Sequence, residues 1–395
     1  LSTMVPREMQ FQVVLSDFQR KDCLIAAGTS SGKTLPTVLC LLLDDPSANP
    51  LTITISPLKQ LQVTQESDFN SRFQIPTVMI NEDTPRDVDW WNANIHDATV
   101  HKAGSVWHLI VTVEQLFKSS AGHFARLGFL IWKCKGFQCR IKQVNIDEAH
   151  CIHTAGLPLY GLNAFCPAWG MLDELKALLA NDVIWKVFLA TFHPHILKTV
   201  LQKVLKLNCI KIQLTSNHPN TMYTTHQFQG RIKDPRNYEC FLQHPFDFDT
   251  QPHILIFFND KVVMKKVAQH LDDKLPPEYC GRGVIQHYHS GMSEKYLKRA
   301  HDSFVKEGSM CWILVTTSGE SVGINFQNVK IVCTAGLPST GVDALQCAGH
   351  ALCLSKEWAL FVVFFEAWAL SINKNEYTGD VLDPDHPRKD LRISS

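Results

Sequence analysis

A chain of 395 residues is too long for one core of ordinary size, so two domains of roughly 200 residues each are expected. With 45% hydrophobic and 19% charged residues, the composition is that of a folded globular protein and excludes disorder as its governing state. Lys+Arg and Asp+Glu both total 38, so no bulk positive charge points to nucleic acid, and such a partner has to be argued from motifs.

The chain opens on Leu1 and not Met, as a fragment would, and shows no leading apolar run with a small-residue cleavage site. Its 13 cysteines contain no C-x-x-C pair. Together these predict free thiols in a reducing compartment, the nucleus or else the cytoplasm. The apolar stretch ALFVVFFEAWAL carries Glu366 and falls short of the about 20 residues a bilayer span needs, so a buried strand and no membrane association are expected.

From the N-terminus, CLIAA (23–27), LTITIS (51–56), HLIVT (108–112), VNID (144–147) and VFLAT (187–191) are apolar runs that each end at a polar residue or a turn. The segments between them are long enough for crossover helices, which predicts a mostly parallel sheet covered on both faces. The polar, turn-rich stretch 214–239 is expected to be a linker. The rhythm then restarts with HILIFF (253–258), GVIQHYH (283–289), CWILVTT (311–317), VKIVCTA (329–335) and ALFVVFF (359–365). Two successive α/β halves follow, 1–215 and 216–372, with a loose charged tail over 373–395 containing Pro384 and Pro387.

The first strand runs into AAGTSSGKT and then into the helical stretch LPTVLCLLL. A small-residue turn between strand and helix lets backbone N–H groups and the helix dipole converge on phosphate. Ala27, Gly28, Thr29, Ser30, Ser31, Gly32, Lys33 and Thr34 form this candidate cradle; Lys33 would reach the β- and γ-phosphates and Thr34 would bind Mg²⁺. Ala27 stands where the full pattern has glycine, and Pro36 is tolerated in the first helical turn. A cradle of this kind needs a carboxylate at the end of another strand. IKQVNIDEAH supplies it: Asp147 as metal ligand, directly or through water, and Glu148 to orient and deprotonate the attacking water. Alone, DEAH is also what the start of a solvated helix looks like; the loop upstream is what turns it into half of an ATP site.

With these two motifs in place, the chain resembles the RecQ-like group of DEAD/DEAH-box DNA helicases from about Arg7 to about Phe365. PREMQ resembles the entry motif, in which Arg7 and Gln10 would read adenine. TISPLKQLQVTQ resembles the S-P-L segment, and VTVEQL the T-P-E segment with Val113 in place of proline. FCPAW (165–169) resembles the aromatic-rich loop that links DNA contact to hydrolysis. YHSGM (288–292), VTTSGESVGINF (315–326) and QCAGHALC (346–353) follow in the order of the remaining motifs. The resemblance implies two tandem RecA-like domains with ATP and Mg²⁺ in the cleft between them and single-stranded or partly duplex DNA across them. The activity it implies is that of an ATP-dependent 3′-to-5′ helicase, of the kind that serves DNA repair and recombination. Ser56, Lys59 and Thr112 would then touch the strand, and Phe165 and Trp169 would stack on bases unless they are core aromatics. Gly323 would belong to the nucleotide site, and Gln346 and His350 to the catalytic apparatus.

The departures gather where hydrolysis is fired. The last motif carries three arginines in the family, and here Cys347, His350 and Cys353 stand in their places. An arginine at the transferring phosphoryl group is worth about 10³–10⁵ in rate, and a histidine lacks both its permanent charge and its fork. Leu189 replaces a serine before Ala190-Thr191, Asn325 an aspartate, Cys166 an arginine and Ser30 a glycine. A hydrolysis-impaired module that binds ATP and nucleic acid is therefore the alternative expectation. Under it, Cys347→Arg with His350→Arg would raise turnover. An unrelated P-loop ATPase or kinase is the third reading, which predicts that single-stranded DNA leaves turnover unchanged. The C-x-x-H-x-x-C spacing of Cys347, His350 and Cys353 lacks a fourth ligand and is not expected to hold zinc. His193/His195 and His287/His289 have no carboxylate or cysteine company in sequence and are expected to be ordinary histidines.

Overall fold

Two units, one up to Ser216 and one from Asn217, make up the chain in a computed structural model. It describes residues 5–28, 31–57, 59–96, 106–118, 124–159, 162–190, 193–215, 220–289, 291–306, 308–317, 328–338, 340–351 and 357–371.

The first unit is built on seven strands: β1 (Cys23–Ala26), β2 (Leu51–Ile55), β3 (Thr77–Ile80), β4 (His108–Val111), β5 (Ile141–Ile146), β6 (Ile184–Leu189) and β7 (Ile210–Gln213). They lie in the order β3-β4-β2-β5-β6-β1-β7, and every neighbouring pair is parallel. Every residue of β1, β2, β4 and β6 is buried, which is why these strands are mostly apolar runs in the sequence, interrupted only by Thr52, Thr54, His108 and Lys186. The two edge strands, TVMI and IKIQ, are only partly buried and carry no such run. Because the sheet is parallel, the loops after β1, β2, β4, β5 and β6 all leave from one edge. All the motifs of the first half except PREMQ, which precedes β1 at the start of the helix Glu8–Phe18, lie on those loops.

Among the buried polar groups inside this sheet are Lys186 and His108. The Lys186 ammonium in β6 is fully enclosed and is satisfied by Asp17 Oδ1 at 2.6 Å, Gln143 Oε1 at 2.9 Å and Cys40 Sγ at 3.0 Å. His108, at the start of β4, lies 2.7 Å from Thr54 Oγ1 and beside the Phe69 ring, and burial lowers its pKa to about 3. A folded pKa below the unfolded value means that the unfolded chain takes up the proton first. Stability is therefore fully present above pH of about 6.5 and falls as pH drops towards 3, by about 1.4 kcal/mol per unit. In urea titrations His108→Gln is expected to flatten this slope; an unchanged slope would assign it to other groups.

The second unit carries β8 (Thr221–Gln227), β9 (Ile254–Phe258), β10 (Ile285–Tyr288), β11 (Ile313–Thr317), β12 (Ile331–Ala335) and β13 (Ala359–Phe365), in the order β10-β11-β9-β12-β13-β8. This sheet too is parallel throughout. Strand β8 corrects the expected linker over 214–239. It pairs with β13 along its whole length, yet six of its seven residues are exposed. An edge strand of composition TMYTTHQ has no apolar signature to read. The sheet buries one apolar layer around Ile256, Met264 and Val267, and another around Phe257, Phe304 and Phe361. Each unit is thus an α/β domain with a parallel sheet flanked by helices, as the alternating pattern predicts. ALFVVFF is an interior strand, and no helix among the described residues is long and apolar enough to cross a membrane.

Candidate nucleotide and nucleic-acid site

The cradle starts where β1 ends. The Ala27 N–H donates to the Leu189 carbonyl at 2.9 Å, which extends the β1–β6 ladder by one rung. Ala27 has ordinary backbone geometry and its methyl is buried against Met9 and Phe188, so this position does not require glycine. Thr29 and Ser30 lie outside the described residues. The Ser31 N–H returns to the Gly28 carbonyl at 3.4 Å, and Gly32 closes the turn at φ +83°. Glycine is favoured at 32 by this backbone, and a Cβ there would fall 2.5 Å from Gln10 Nε2, so the Gln10 amide would have to shift.

Gln10 uses both arms of its amide: Oε1 accepts from the Arg7 N–H at 2.7 Å, and Nε2 donates to the Gly32 carbonyl at 3.0 Å. The entry motif therefore fastens the loop, while the Arg7 residue is exposed. Lys33 precedes the helix Thr34–Leu43 and lays its ammonium on the Ala27 carbonyl at 3.1 Å, across the turn it would vacate for a phosphate. Thr34 is exposed at the first helical position, at the positive end of the dipole.

The DEAH loop hangs from the same strand. The Asp147 N–H donates to the Ile55 carbonyl at 2.9 Å and the Ala149 N–H to the Phe188 carbonyl at 3.0 Å. Successive carbonyls of β6 thus hold both motif loops. Between the two anchors Glu148 adopts φ +48°, a left-handed backbone that costs a non-glycine residue about 1–3 kcal/mol. Asp147 Oδ1 accepts the Glu148 N–H at 3.0 Å, and Gln65 Nε2 approaches Oδ2 at 3.4 Å. Burial, and after it the Glu148 charge, pushes the Asp147 carboxyl up to about 6, against the pull of the Lys33 ammonium. His150 Nδ1 lies 3.3 Å from Glu148 Oε2. Burial works against the His150 charge, yet Cys151 and Glu148 beside it hold the imidazole above its ordinary pKa.

These groups fit Mg²⁺ and a nucleoside triphosphate. Two carboxylates crowd together without a permanent cation except Lys33 nearby, and the buried Gln65 Oε1 and Ser31 Oγ have no hydrogen-bond partner. Among the described residues no group of three or more His, Cys, Asp or Glu could hold a metal alone, so phosphate oxygens would have to complete the shell. Bound there with Asp147 and Thr34, the ion would neutralise phosphate charge. The sequence reading missed Gln65. The signal was its place three residues after Gln62 on the helix Lys59–Ser67, which follows the S-P-L segment.

The residues expected to touch a strand divide. Ser56 is fully buried, with its N–H on the Val111 carbonyl and its own carbonyl on Gln62, and Trp169 is buried too. As placed, neither side chain is open to a strand, and Trp169 takes the core reading left open for it. Trp169 is a core aromatic because Gly156 and Gly170 bring their backbones into contact beside it, with room for no Cβ on either. Thr112 is nearly buried and starts the turn Val113–Gln115. Lys59 is half-exposed, but its charge is shared by Asp83 at 2.8 Å and Glu82. Phe165 is 91% exposed, free to meet a base. The neighbouring Cys166 thiol, pushed up to about 12 by burial and Glu114, donates to Glu114 Oε1 at 3.2 Å, which ties the aromatic-rich loop to the T-V-E turn.

In the second unit, Gln346 sits in the helix Gly341–Ala348 and His350 in the turn after it, and both are buried. Gln346 Nε2 has no hydrogen-bond partner, and the His350 ring packs 5.8 Å from the Phe257 ring. Cys347 belongs to the apolar layer itself. His350 is buried within its own unit, against the Phe257 ring. Gly323, Asn325 and Cys353 lie outside the described residues.

A model of the DEAD/DEAH box helicase family matches residues 7–158, and one of the helicase conserved C-terminal domain matches residues 237–354. The ATP-dependent DNA helicase hus2/rqh1 of Schizosaccharomyces pombe is 23% identical over 349 residues, 87% of this chain and 24% of that protein. The ATP-dependent DNA helicase RecQ of Pasteurella multocida is 23% identical over 347 residues, 87% of this chain and 48% of its own. The chain thus spans half or less of the length of these relatives. Among solved structures, the DUF1998 helicase MrfA bound to DNA and AMPPNP aligns with a TM-score of 0.70 at 14% identity, over 91% of this chain and 48% of that one. At that identity the likeness is one of fold. The two family models in this order, with RecQ-type relatives along 87% of the chain, lead to one conclusion: this chain belongs to the DEAD/DEAH box helicases and is a RecQ-like helicase core.

Proposed function

We propose that the chain is the core of an ATP-dependent DNA helicase or translocase of RecQ type, moving 3′ to 5′ on single-stranded DNA. The observation that carries this reading is the double anchorage on β6, where the Leu189 carbonyl holds the phosphate loop and the Phe188 carbonyl the DEAH loop. That anchorage sets Lys33, Thr34, Asp147 and Glu148 at one sheet edge. Lys33 would leave the Ala27 carbonyl for the phosphates, Thr34 and Asp147 would hold Mg²⁺, and Glu148 would take a proton from water, with His150 holding its carboxylate. RecQ-type relatives are named as DNA helicases, which favours DNA as the strand; a nuclear setting and a part in repair or recombination are proposed with it.

A second reading rests on the second unit: a module that binds ATP and nucleic acid but hydrolyses slowly. The missing arginines and the buried His350 favour it. Steady-state ATP hydrolysis, with and without a single-stranded oligonucleotide, separates the two. The helicase reading expects clear stimulation, and unwinding of duplexes with a 3′ tail but not a 5′ tail. Tight ATP binding with no turnover in either condition would establish the second reading, and turnover indifferent to DNA would overturn both.

A further inference from the structure

Between Gln115 and Ile146 the chain contains no Asp or Glu, and it carries Lys118, Arg126, Lys133, Lys135, Arg140 and Lys142. In a chain whose charges balance at 38 each, this is a local excess with aromatic residues interleaved. Its centre is the helix Arg126–Lys133, which turns Leu127, Leu130 and Ile131 inward. The outward face carries Phe129, Trp132 and Lys133, with Arg126 half-exposed. Phe124, just before the helix, is 61% exposed, Phe129 46% and Trp132 57%. The three rings form a row, with centroids 5.5 Å apart from Phe124 to Phe129 and 6.2 Å from Phe129 to Trp132. Lys133 places its ammonium 3.9 Å from the Trp132 ring centre, and Lys118 and Lys135 are exposed. Arg140 is buried and bound to Asn49 and Val106, so it serves the fold and not the surface.

The row lies beside the candidate strand-contacting turn. A Cβ on Gly128 would fall 2.0 Å from the Leu116 carbonyl, so the helix backbone touches the residue that ends the turn Val113–Gln115 after Thr112. We infer that the Phe124–Phe129–Trp132 row, with Lys118, Lys133 and Lys135, is a second contact for a single nucleic-acid strand, continuing the path beyond Thr112. This rests on the nucleic-acid reading proposed above. The occupant follows from the chemistry of the face. The aliphatic side chains of the helix are turned inward, and what the segment 116–145 exposes here is rings and cations, with no Asp or Glu of its own. Every base has a π-face to lay on such rings, and a phosphate backbone supplies the missing negative charge.

The test uses oligodeoxythymidylates of two lengths, one just long enough for a helicase core and one longer, bound by the whole chain and read by fluorescence anisotropy. Phe129→Ala with Trp132→Ala is expected to weaken the longer oligonucleotide about tenfold and leave the shorter unchanged. Lys133→Ala and Lys135→Ala are expected to lower the log–log salt slope for the longer strand by about 0.7 each. All four residues lie at the surface, and an unchanged melting temperature verifies that each variant folds. If the wild-type chain binds both lengths and the aromatic variant keeps both affinities, the inference is overturned while the helicase reading stands, and the row is a protein contact instead. Equal loss on both lengths would place the row within the primary path and overturn the extension. A wild-type chain that binds neither length would sink the inference together with the nucleic-acid reading.

Discussion

Lys33→Ala is expected to lower the affinity for Mg-ATP at least about 100-fold, because two charge-assisted contacts to phosphate, each worth about 1.5–3 kcal/mol, would be lost together. The fold should survive. Among the described residues the Lys33 ammonium donates to the Ala27 carbonyl, and loss of such a bond changes stability by about 1 kcal/mol. The loop keeps its other fastenings, the Ala27 N–H on Leu189 and the Gln10 amide on Gly32. Titration with a fluorescent ATP analogue, alongside a melting curve, separates loss of binding from loss of structure. Wild-type affinity in this variant would place the phosphates elsewhere.

The second large effect runs opposite to what the motif alone suggests. Restoring arginines by Cys347→Arg with His350→Arg would, from the family pattern, rescue a weak trigger. Both side chains are 4% exposed in the second unit. Cys347 packs in the layer of Leu255, Phe257, Leu314 and Phe361, and burial, with Asp343 behind it, pushes its thiol up to about 12. A guanidinium at 347 would have to enter this apolar layer with only the Asp343 carboxylate near it, and burying a poorly paired charge costs about 3–5 kcal/mol. The double variant is therefore expected to melt roughly 6–20 °C lower, with no gain in turnover. Higher turnover at an unchanged melting temperature would show that this segment leaves the core when nucleotide binds, and would restore the rescue argument.

The two outcomes differ because one motif lies on loops and the other lies partly in a core. The phosphate loop and DEAH could be read residue by residue, since their chemistry demands particular atoms: a glycine at φ +83°, an ammonium, a hydroxyl, two carboxylates. Interior strands could be read as well, because a parallel strand buried on both faces is mostly apolar. Of the four edge strands, β10 could be read and three could not. β3, β7 and β8 are paired on one side only, and TMYTTHQ in β8 is as polar as a linker.

Ser56 and Trp169 show the same limit at the site. Nothing in S-P-L tells that the Ser56 hydroxyl is enclosed, and nothing in FCPAW tells that Trp169 packs inward while Phe165 points out. Burial is set by what arrives from far along the chain. Gly156 meets Gly170, Gln62 reaches the Ser56 carbonyl, and Cys166 finds Glu114 across 52 residues. By itself, then, the sequence determined the fold class, the strand ends that carry chemistry and the kinship to helicases, because these depend on local pattern and fixed residue types. Only the tertiary structure decided which of those residues remain accessible: it left Lys33, Thr34 and Phe165 within reach and buried Ser56, Trp169 and His350, since accessibility depends on long-range packing that no local window contains.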